Sequence, residues 1–217
     1  MQHPPFRLLA VKIYLHFCKK VISVYNILKV QDSVQGYVSI TVSEGIEQKT
    51  YTVKLDIYEQ LGAPSRSDGI TNLQLDEMRQ ADEYYRAKRA ALSILSYGDN
   101  NARMLKSKLS MRSISSQTCD EIVSEMISLG YINELCQLER LISEDANRKL
   151  LGPRKTVPRL LAKGYKLSDI REVYDRLSHS GEIDIEKSKE LLLQKYLGND
   201  RCEEQVRRLL YKYGYDF

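Results

Sequence analysis

Apolar residues recur along this chain with two different periods, and the change from one to the other divides it. Val38, Ile40 and Val42 alternate with Ser39, Thr41 and Ser43; beyond Glu44-Gly45, Tyr51, Val53 and Leu55 alternate with Thr52, Lys54 and Asp56. A period of two on both sides of a Gly-containing turn predicts a β-hairpin with one buried face. A lone hairpin is marginal in water, so it needs a partner, and the helix downstream is the nearest one. The polar cluster from Gly62 to Gly69 reads as a loop, since no Gly-Lys-Ser/Thr ends it as a phosphate-binding loop would. From Leu73 to Leu95 the period becomes 3.6. Leu75, Met78, Ala81, Tyr85, Leu92 and Leu95 share one side of the predicted helix, and acids precede bases along it, matching the helix dipole.

The remainder reads as short helices in a repeating order. Val157-Pro-Arg159-Leu160-Leu161-Ala-Lys163 and Val206-Arg-Arg208-Leu209-Leu210-Tyr-Lys212 share a heptad pattern 49 residues apart, followed by Gly164-Tyr165 and Gly214-Tyr215. Gly130-Tyr-Ile132-Asn133 and Gly181-Glu-Ile183-Asp184 recur 51 residues apart. In each, Gly ends one helix in the left-handed conformation, Ile packs in the connection, and Asn or Asp caps the next helix. Leu135, Leu138 and Leu141 then begin one apolar run, and Leu191, Leu192 and Tyr196 another. Ser168 is the expected cap of a further helix carrying Ile170, Val173 and Leu177. Pro158 lies within a heptad, and since proline is tolerated only in the first turn, that helix either starts near Thr156, the favoured reading, or starts at Pro153 and kinks. A weaker copy precedes, with Leu105 and Leu109, then Ile122, Val123, Met126 and Ile127.

The expected fold is therefore mainly α: tandem three-helix repeats in three copies, the last truncated, preceded by a small N-terminal segment containing a β-hairpin. The boundaries that follow are an extension over 1–35, hairpin and loop over 36–72, a connecting helix over 73–97, and repeats over 98–130, 131–181 and 182–217. The third copy stops at Phe217, where its last helix is due.

Composition narrows the function. Cys18, Cys119, Cys136 and Cys202 show no CxxC and no pairing rhythm, as expected of reduced thiols in a cytoplasmic protein. The apolar stretch from Leu8 to Cys18 is interrupted by Lys12 and His16 and is too short to span a bilayer, so no membrane association is expected. His3, His16 and His179 are scattered, and no catalytic constellation, metal site or cofactor motif appears. The chain is not expected to be an enzyme.

The net charge of +4 is mild, but its distribution is uneven. Arg148, Lys149, Arg154, Lys155, Arg159, Lys163, Lys166, Arg171 and Arg176 face only Asp169, Glu172 and Asp175 between Asn147 and Arg176. Arg159 with Lys163, and Arg208 with Lys212, are i, i+4 pairs of like charge, which weaken a helix by a few tenths of a kcal/mol (about 0.2–0.5). Such pairs suit a negative partner surface. The candidate contact residues are Arg103, Lys106 and Lys108 in the first copy, Arg154, Lys155, Arg159 and Lys163 in the second, and Arg207, Arg208 and Lys212 in the third. Tyr165 and Tyr215 follow glycine stops, where packing on their own helix is favoured over stacking on a base.

The order of these segments resembles the RecX family of regulatory proteins: a β-containing start, then RAALSILSYGDNNARMLKSKL, LGYINELCQLERLI, LLGPRKTVPRLLAKGY, SGEIDIEKSKELLLQKY and QVRRLLYKYGYDF. The resemblance covers roughly residues 75–217, and its specificity lies in order and spacing. It implies tandem three-helix repeats and a protein, expected as a monomer, that binds the RecA filament on DNA. It implies modulation of RecA, mostly by inhibiting filament extension, ATP hydrolysis and strand exchange in recombination and repair, with DNA contacted only weakly or indirectly. Residues 1–35 have no counterpart in that pattern. A stand-alone nucleic-acid-binding helical module is the competing reading, since three short helices can mimic a helix-turn-helix unit.

Overall fold

The alternating segments around Gly45 pair as antiparallel strands β2 (Tyr37–Glu44) and β3 (Glu47–Lys54), with Val38 opposite Val53 and Ile40 opposite Tyr51. The computed structural model describes residues 25–34, 36–198 and 202–216; the apolar stretch Leu8–Cys18, with His3 and His16, lies outside them. The hairpin belongs to a four-stranded antiparallel sheet in the order β3-β2-β1-β4, where β1 is Tyr25–Asp32 and β4 is Gly69–Ile70. Strand β1 falls in the span read as an extension. Its pairing with β2 shifts register between Ile27 and Lys29, so Leu28 is an extra residue and the period of two is broken. Leu55, expected in the strand, instead opens helix α1 (Leu55–Gln60), where it is exposed.

The chain divides between Arg89 and Ala90 into two compact units. In the first, Ile27, Ile40, Val42, Val53 and Ile70 from the sheet pack with Leu75 and Met78 from helix α2 (Asn72–Ser96). Thr71 and Gln74 start α2 with a capping box: Gln74 N donates to Thr71 Oγ1 (3.2 Å) and Thr71 N to Gln74 Oε1 (3.0 Å). The edge strand β3 is engaged by α2, where Asp82 Oδ1 accepts from Thr52 N (2.9 Å). Later in α2 the buried residues are Ala87, Ala91 and Ile94, while Leu92 is exposed. At about 100° per residue these lie on a different face from Leu75 and Met78, so α2 carries two half-stripes rather than one.

The second unit contains α3 (Ala102–Ser110), α4 (Ser116–Ser128), α5 (Glu134–Ser143), α6 (Pro153–Lys163), α7 (Leu167–His179), α8 (Ile185–Leu197) and α9 (Glu203–Tyr213). Four caps have side-chain acceptors: Asn101 for Met104 N, Ser115 for Thr118 N, Asn133 for Cys136 N and Asp184 for Lys187 N. Two expectations fail. Helix α7 begins at Leu167 with Lys166 at its N-cap, and Ser168 Oγ donates instead to Asp169 Oδ1 (2.7 Å). Helix α6 begins at Pro153, so Pro158 lies inside it. The early start is held from elsewhere: Gly152 N donates to Tyr213 O (2.8 Å) and Arg154 N to Gly214 O (3.1 Å). Helix α5 runs on into a five-residue π-helical turn, Glu144–Arg148.

The repeated Gly-Tyr resolves into one device used twice. Gly164 and Gly214 are left-handed, with φ of 97° and 87°. Tyr165 N reaches back to Leu160 O (3.2 Å) and Gly164 N to Leu161 O (2.9 Å); Tyr215 N reaches Leu210 O (3.0 Å) and Gly214 N reaches Tyr211 O (3.2 Å). This is the Schellman arrangement, in which the residue after the glycine folds back on the helix. Leu160 and Tyr165 are buried in one core, Leu210 and Tyr215 in the next. The two ends therefore correspond at a separation of 50, one more than the heptad. Leu160 matches Leu210, not Leu209, and Leu161 is exposed where the heptad expected core. Similarly, Leu138, Leu141 and Ile142 are buried in α5 and Leu192 and Leu193 in α8, while Leu135, Leu191 and Tyr196 face outward.

Each glycine receives the start of a helix from the preceding module. A Cβ on Gly164 would lie 2.5 Å from Arg103 Cδ, and one on Gly214 would lie 2.6 Å from Lys155 N. Asn101 Nδ2 also donates to Lys163 O (2.9 Å) at the first junction. The buried hydroxyls differ between junctions. Tyr165 OH donates to Gln137 Oε1 (2.8 Å), and Gln137 Nε2 to Asn100 O (3.3 Å). Ser188 stands 51 residues after Gln137 and donates to Asp184 O, and Tyr215 OH has no hydrogen-bond partner among the described residues.

Two outcomes follow for stability. Gly152 has an ordinary φ of −78°, but a Cβ there would lie 2.3 Å from Gly214 O, a backbone atom. Gly152→Ala should lower urea-measured stability by about 1–3 kcal/mol through overpacking. Gly130→Ala meets nothing within 4 Å and carries only its left-handed strain, so a loss of about 1 kcal/mol is expected there. For the tyrosines, Tyr165→Phe should cost about 1 kcal/mol and Tyr215→Phe almost nothing near neutral pH. Burial, then Tyr174 and Glu186, pushes the Tyr215 phenol from 10 up to about 12. The folded state thus holds that proton more tightly than the unfolded chain, and the stability this confers is complete below pH 10 and lost as pH rises toward 12. Tyr215→Phe should flatten that alkaline loss in melting curves taken across the window.

Candidate partner-binding surface

A lysine or arginine is available to a partner only if the fold has not already used it. Seven of the ten candidate cations are engaged within the chain. Lys106 pairs with Asp120, Arg208 with Glu204, and Arg207 with Glu203 at 4.0 Å. Lys108 Nζ donates to Asn100 Oδ1 (2.6 Å), and Arg154 pairs with Asp216 (2.9 Å) while lying over the Tyr211 ring. Lys155 lies 5.9 Å from the Tyr213 ring centroid. Most of these are surface contacts of small energetic weight, which a partner displaces at little cost.

Arg159 is different. It pairs with Asp145, a carboxylate in the π-helical turn whose side chain is 0% exposed and which Lys149 also reaches at 3.2 Å. Burying a carboxylate alone would be prohibitive, so Arg159 and Lys149 are part of the interior electrostatics of the second module. The equivalence of Arg159 with Arg208, and of Lys163 with Lys212, does not hold either, because the helix ends correspond at 50 residues. Arg159 matches Leu209, and Lys163 matches Tyr213.

Arg103, Lys163 and Lys212 are exposed and have no ion pair among the described residues. The first two meet at one junction, through the Arg103 stem on Gly164 and the Asn101 bond to Lys163 O. Lys212 lies on the helix that ends at Gly214, beside Lys155. Lys166 and Arg171, within the basic stretch but outside the candidate set, are also exposed and unpaired among the described residues. Only Arg207 and Arg208 have acids at i−4 on their own helix; the other engaged cations have partners outside their own helix, which sequence spacing does not reveal. Tyr165 and Tyr215 are buried, so neither offers a ring to a base. Among the described residues no group of His, Cys, Asp or Glu is placed to hold a metal ion, and no helix is long and apolar enough to cross a membrane.

The separation of roles is testable. Arg159→Met should destabilise the protein by about 3 kcal/mol, the lower end for breaking a buried pair, because Arg159 is one-third exposed. Lys163→Glu and Lys212→Glu should each stay within about 0.5 kcal/mol of the unmodified protein in the same denaturation measurement.

No family model matches the chain. It is similar to a regulatory protein RecX of Listeria monocytogenes (strain HCC23), 23% identical over 119 residues, which are 55% of this chain and 44% of the relative. A regulatory protein RecX of Clostridioides difficile (strain 630) is 22% identical over 147 residues, 68% of this chain and 66% of the relative. The chain thus spans less than half the length of the Listeria relative it matches. Its fold is similar to a crystal structure of regulatory protein RecX, with a TM-score of 0.65 at 18% identity over 88% of this chain and 95% of the other. RecX from Lactobacillus salivarius matches with a TM-score of 0.54 at 21% identity over 63% and 91%. In sequence and in fold, the chain is thus similar to regulatory proteins named RecX.

Proposed function

We propose that this protein binds the RecA recombinase filament on DNA and lowers its ATPase and strand-exchange activity. The observation that carries this reading is the fold as a whole, a small sheet followed by an ordered set of three-helix modules, which is similar to a RecX structure over 88% of this chain. An array of short modules without pocket chemistry suits a protein that lies along a polymer. Its unpaired cations, Arg103, Lys163, Lys166, Arg171 and Lys212, supply a positive surface without the cost of breaking internal pairs. A stand-alone DNA binder is less well supported, since so few cations are spared by the fold.

Titrating the protein into RecA hydrolysing ATP on single-stranded DNA should depress the steady-state rate. An unchanged rate at several-fold molar excess over RecA (roughly five-fold) would overturn the proposal. Without RecA, affinity for single-stranded DNA should be weak, with log K falling against log[salt] at a slope no steeper than about −3.5, as expected for five or fewer phosphate contacts.

A further inference from the structure

A cleft of about 540 Å³ opens in the second unit where α3, the α4–α5 connection and the α6–α7 connection meet. Its walls combine aliphatic groups from Ile127, Ile132 and Leu135 with the cations Arg103 and Lys166. Ile127 is 49% exposed and Leu135 43%, although both sit in or beside apolar stripes that elsewhere are buried. Arg103 and Lys166 have no ion pair among the described residues. The carboxylate in the lining, Glu134, is committed to the backbone: its Oε1 accepts from Ala102 N at 2.9 Å.

The next junction shows what completes such a cleft. Arg103 corresponds to Arg154 at the 51-residue spacing of the helix starts, and Lys166 to Asp216 at the 50-residue spacing of the Gly-Tyr ends. Arg154 and Asp216 pair at 2.9 Å, so that junction supplies its own carboxylate. At the first junction the same position carries Lys166, and the internal anion is replaced by a second cation. The two cations and the apolar wall together define the chemistry that this cleft accepts. A phosphodiester would answer the charge but bury nothing against Ile127 and Leu135. A carboxylate side chain carried beside an aliphatic one answers both.

We infer that this cleft docks an acidic–aliphatic segment of the protein surface of the RecA filament, the carboxylate meeting Arg103 and Lys166 and the aliphatic side chain covering Ile127 and Leu135. The inference rests on the RecA reading above and adds the site and the chemistry of the contact. The segment takes the position that Asp216 holds at the neighbouring junction.

The test measures binding of the full chain to preformed RecA filaments on single-stranded DNA, and to the same DNA without RecA. The double variant Arg103→Met with Lys166→Met keeps the stem that lies over Gly164 and removes both charges; a circular dichroism spectrum matching the unmodified protein shows that it folds. It should bind the filament about tenfold more weakly, while Lys187→Met, an exposed lysine on α8 outside both the cleft and the candidate contact set, should change binding less than about twofold. Leu135→Ser should also weaken filament binding and leave DNA binding unchanged. Unaltered filament binding by the double variant would overturn the inference and leave the RecA reading intact. An equal loss on naked DNA would overturn it too, by making the cleft a phosphate site. Failure of the unmodified protein to bind filaments would overturn both.

Discussion

The helical half of this protein depends on two glycines that lack a Cβ in a crowded place. Gly164 and Gly214 must be left-handed to turn Tyr165 and Tyr215 back onto Leu160 and Leu210, and they must be bare because the preceding module rests on them. The two requirements coincide at one residue, which is why the helix ends and the module junctions are the same feature. At Gly214 the visiting group is backbone, Lys155 N, and at Gly164 it is the arginine stem of Arg103. The first can shift only by moving a helix, whereas the second can change rotamer. The order of modules is thus fixed by close approach, and apolar burial then fills the space that approach defines.

Much of this was legible in the residues. Gly stops, Asn and Asp caps and the 3.6 period have local causes, and Asn133, Asp184, Gly164 and Gly214 behave as their chemistry requires. The hairpin was equally plain, because β2 alternates along most of its length and β3 alternates from Tyr51 to Lys54. What escaped was whatever depends on a distant neighbour or an irregular count. The extra residue Leu28 hides β1 by breaking the alternation. The contacts of Gly152 and Arg154 with residues 213 and 214 pull the start of α6 back to Pro153, against the preference of Pro158. The change of face along α2 reflects burial of its two ends in different surroundings, which a single stripe cannot express.

Charge was the least legible property. The basic stretch 147–176 reads as one surface because its acids are distant in sequence. Arg159 meets Asp145 fourteen positions away, Arg176 meets Glu139, and Arg154 meets Asp216 sixty-two positions away. Subtracting these leaves a sparser set grouped at the junctions, among them Lys166, which composition alone gave no reason to prefer over its neighbours. A cation's value to a partner is set by what the fold has left unneutralised, and that is a property of tertiary structure.

The π-helical turn at Glu144–Arg148 sits where the second and third modules differ in length. The helix starts Asn133 and Asp184 are 51 residues apart, but the ends Gly164 and Gly214 are 50 apart, so the second module holds one residue more in that interval. A turn whose hydrogen bonds close over five residues instead of four, as Lys149 N to Glu144 O does, absorbs a single-residue insertion without breaking the helix. Asp145 lies within this turn and its side chain is fully buried. The difference in length between sibling modules thus falls in the stretch that holds the π-helical turn, where the buried carboxylate of Asp145 meets Arg159 and Lys149, each still about one-third exposed.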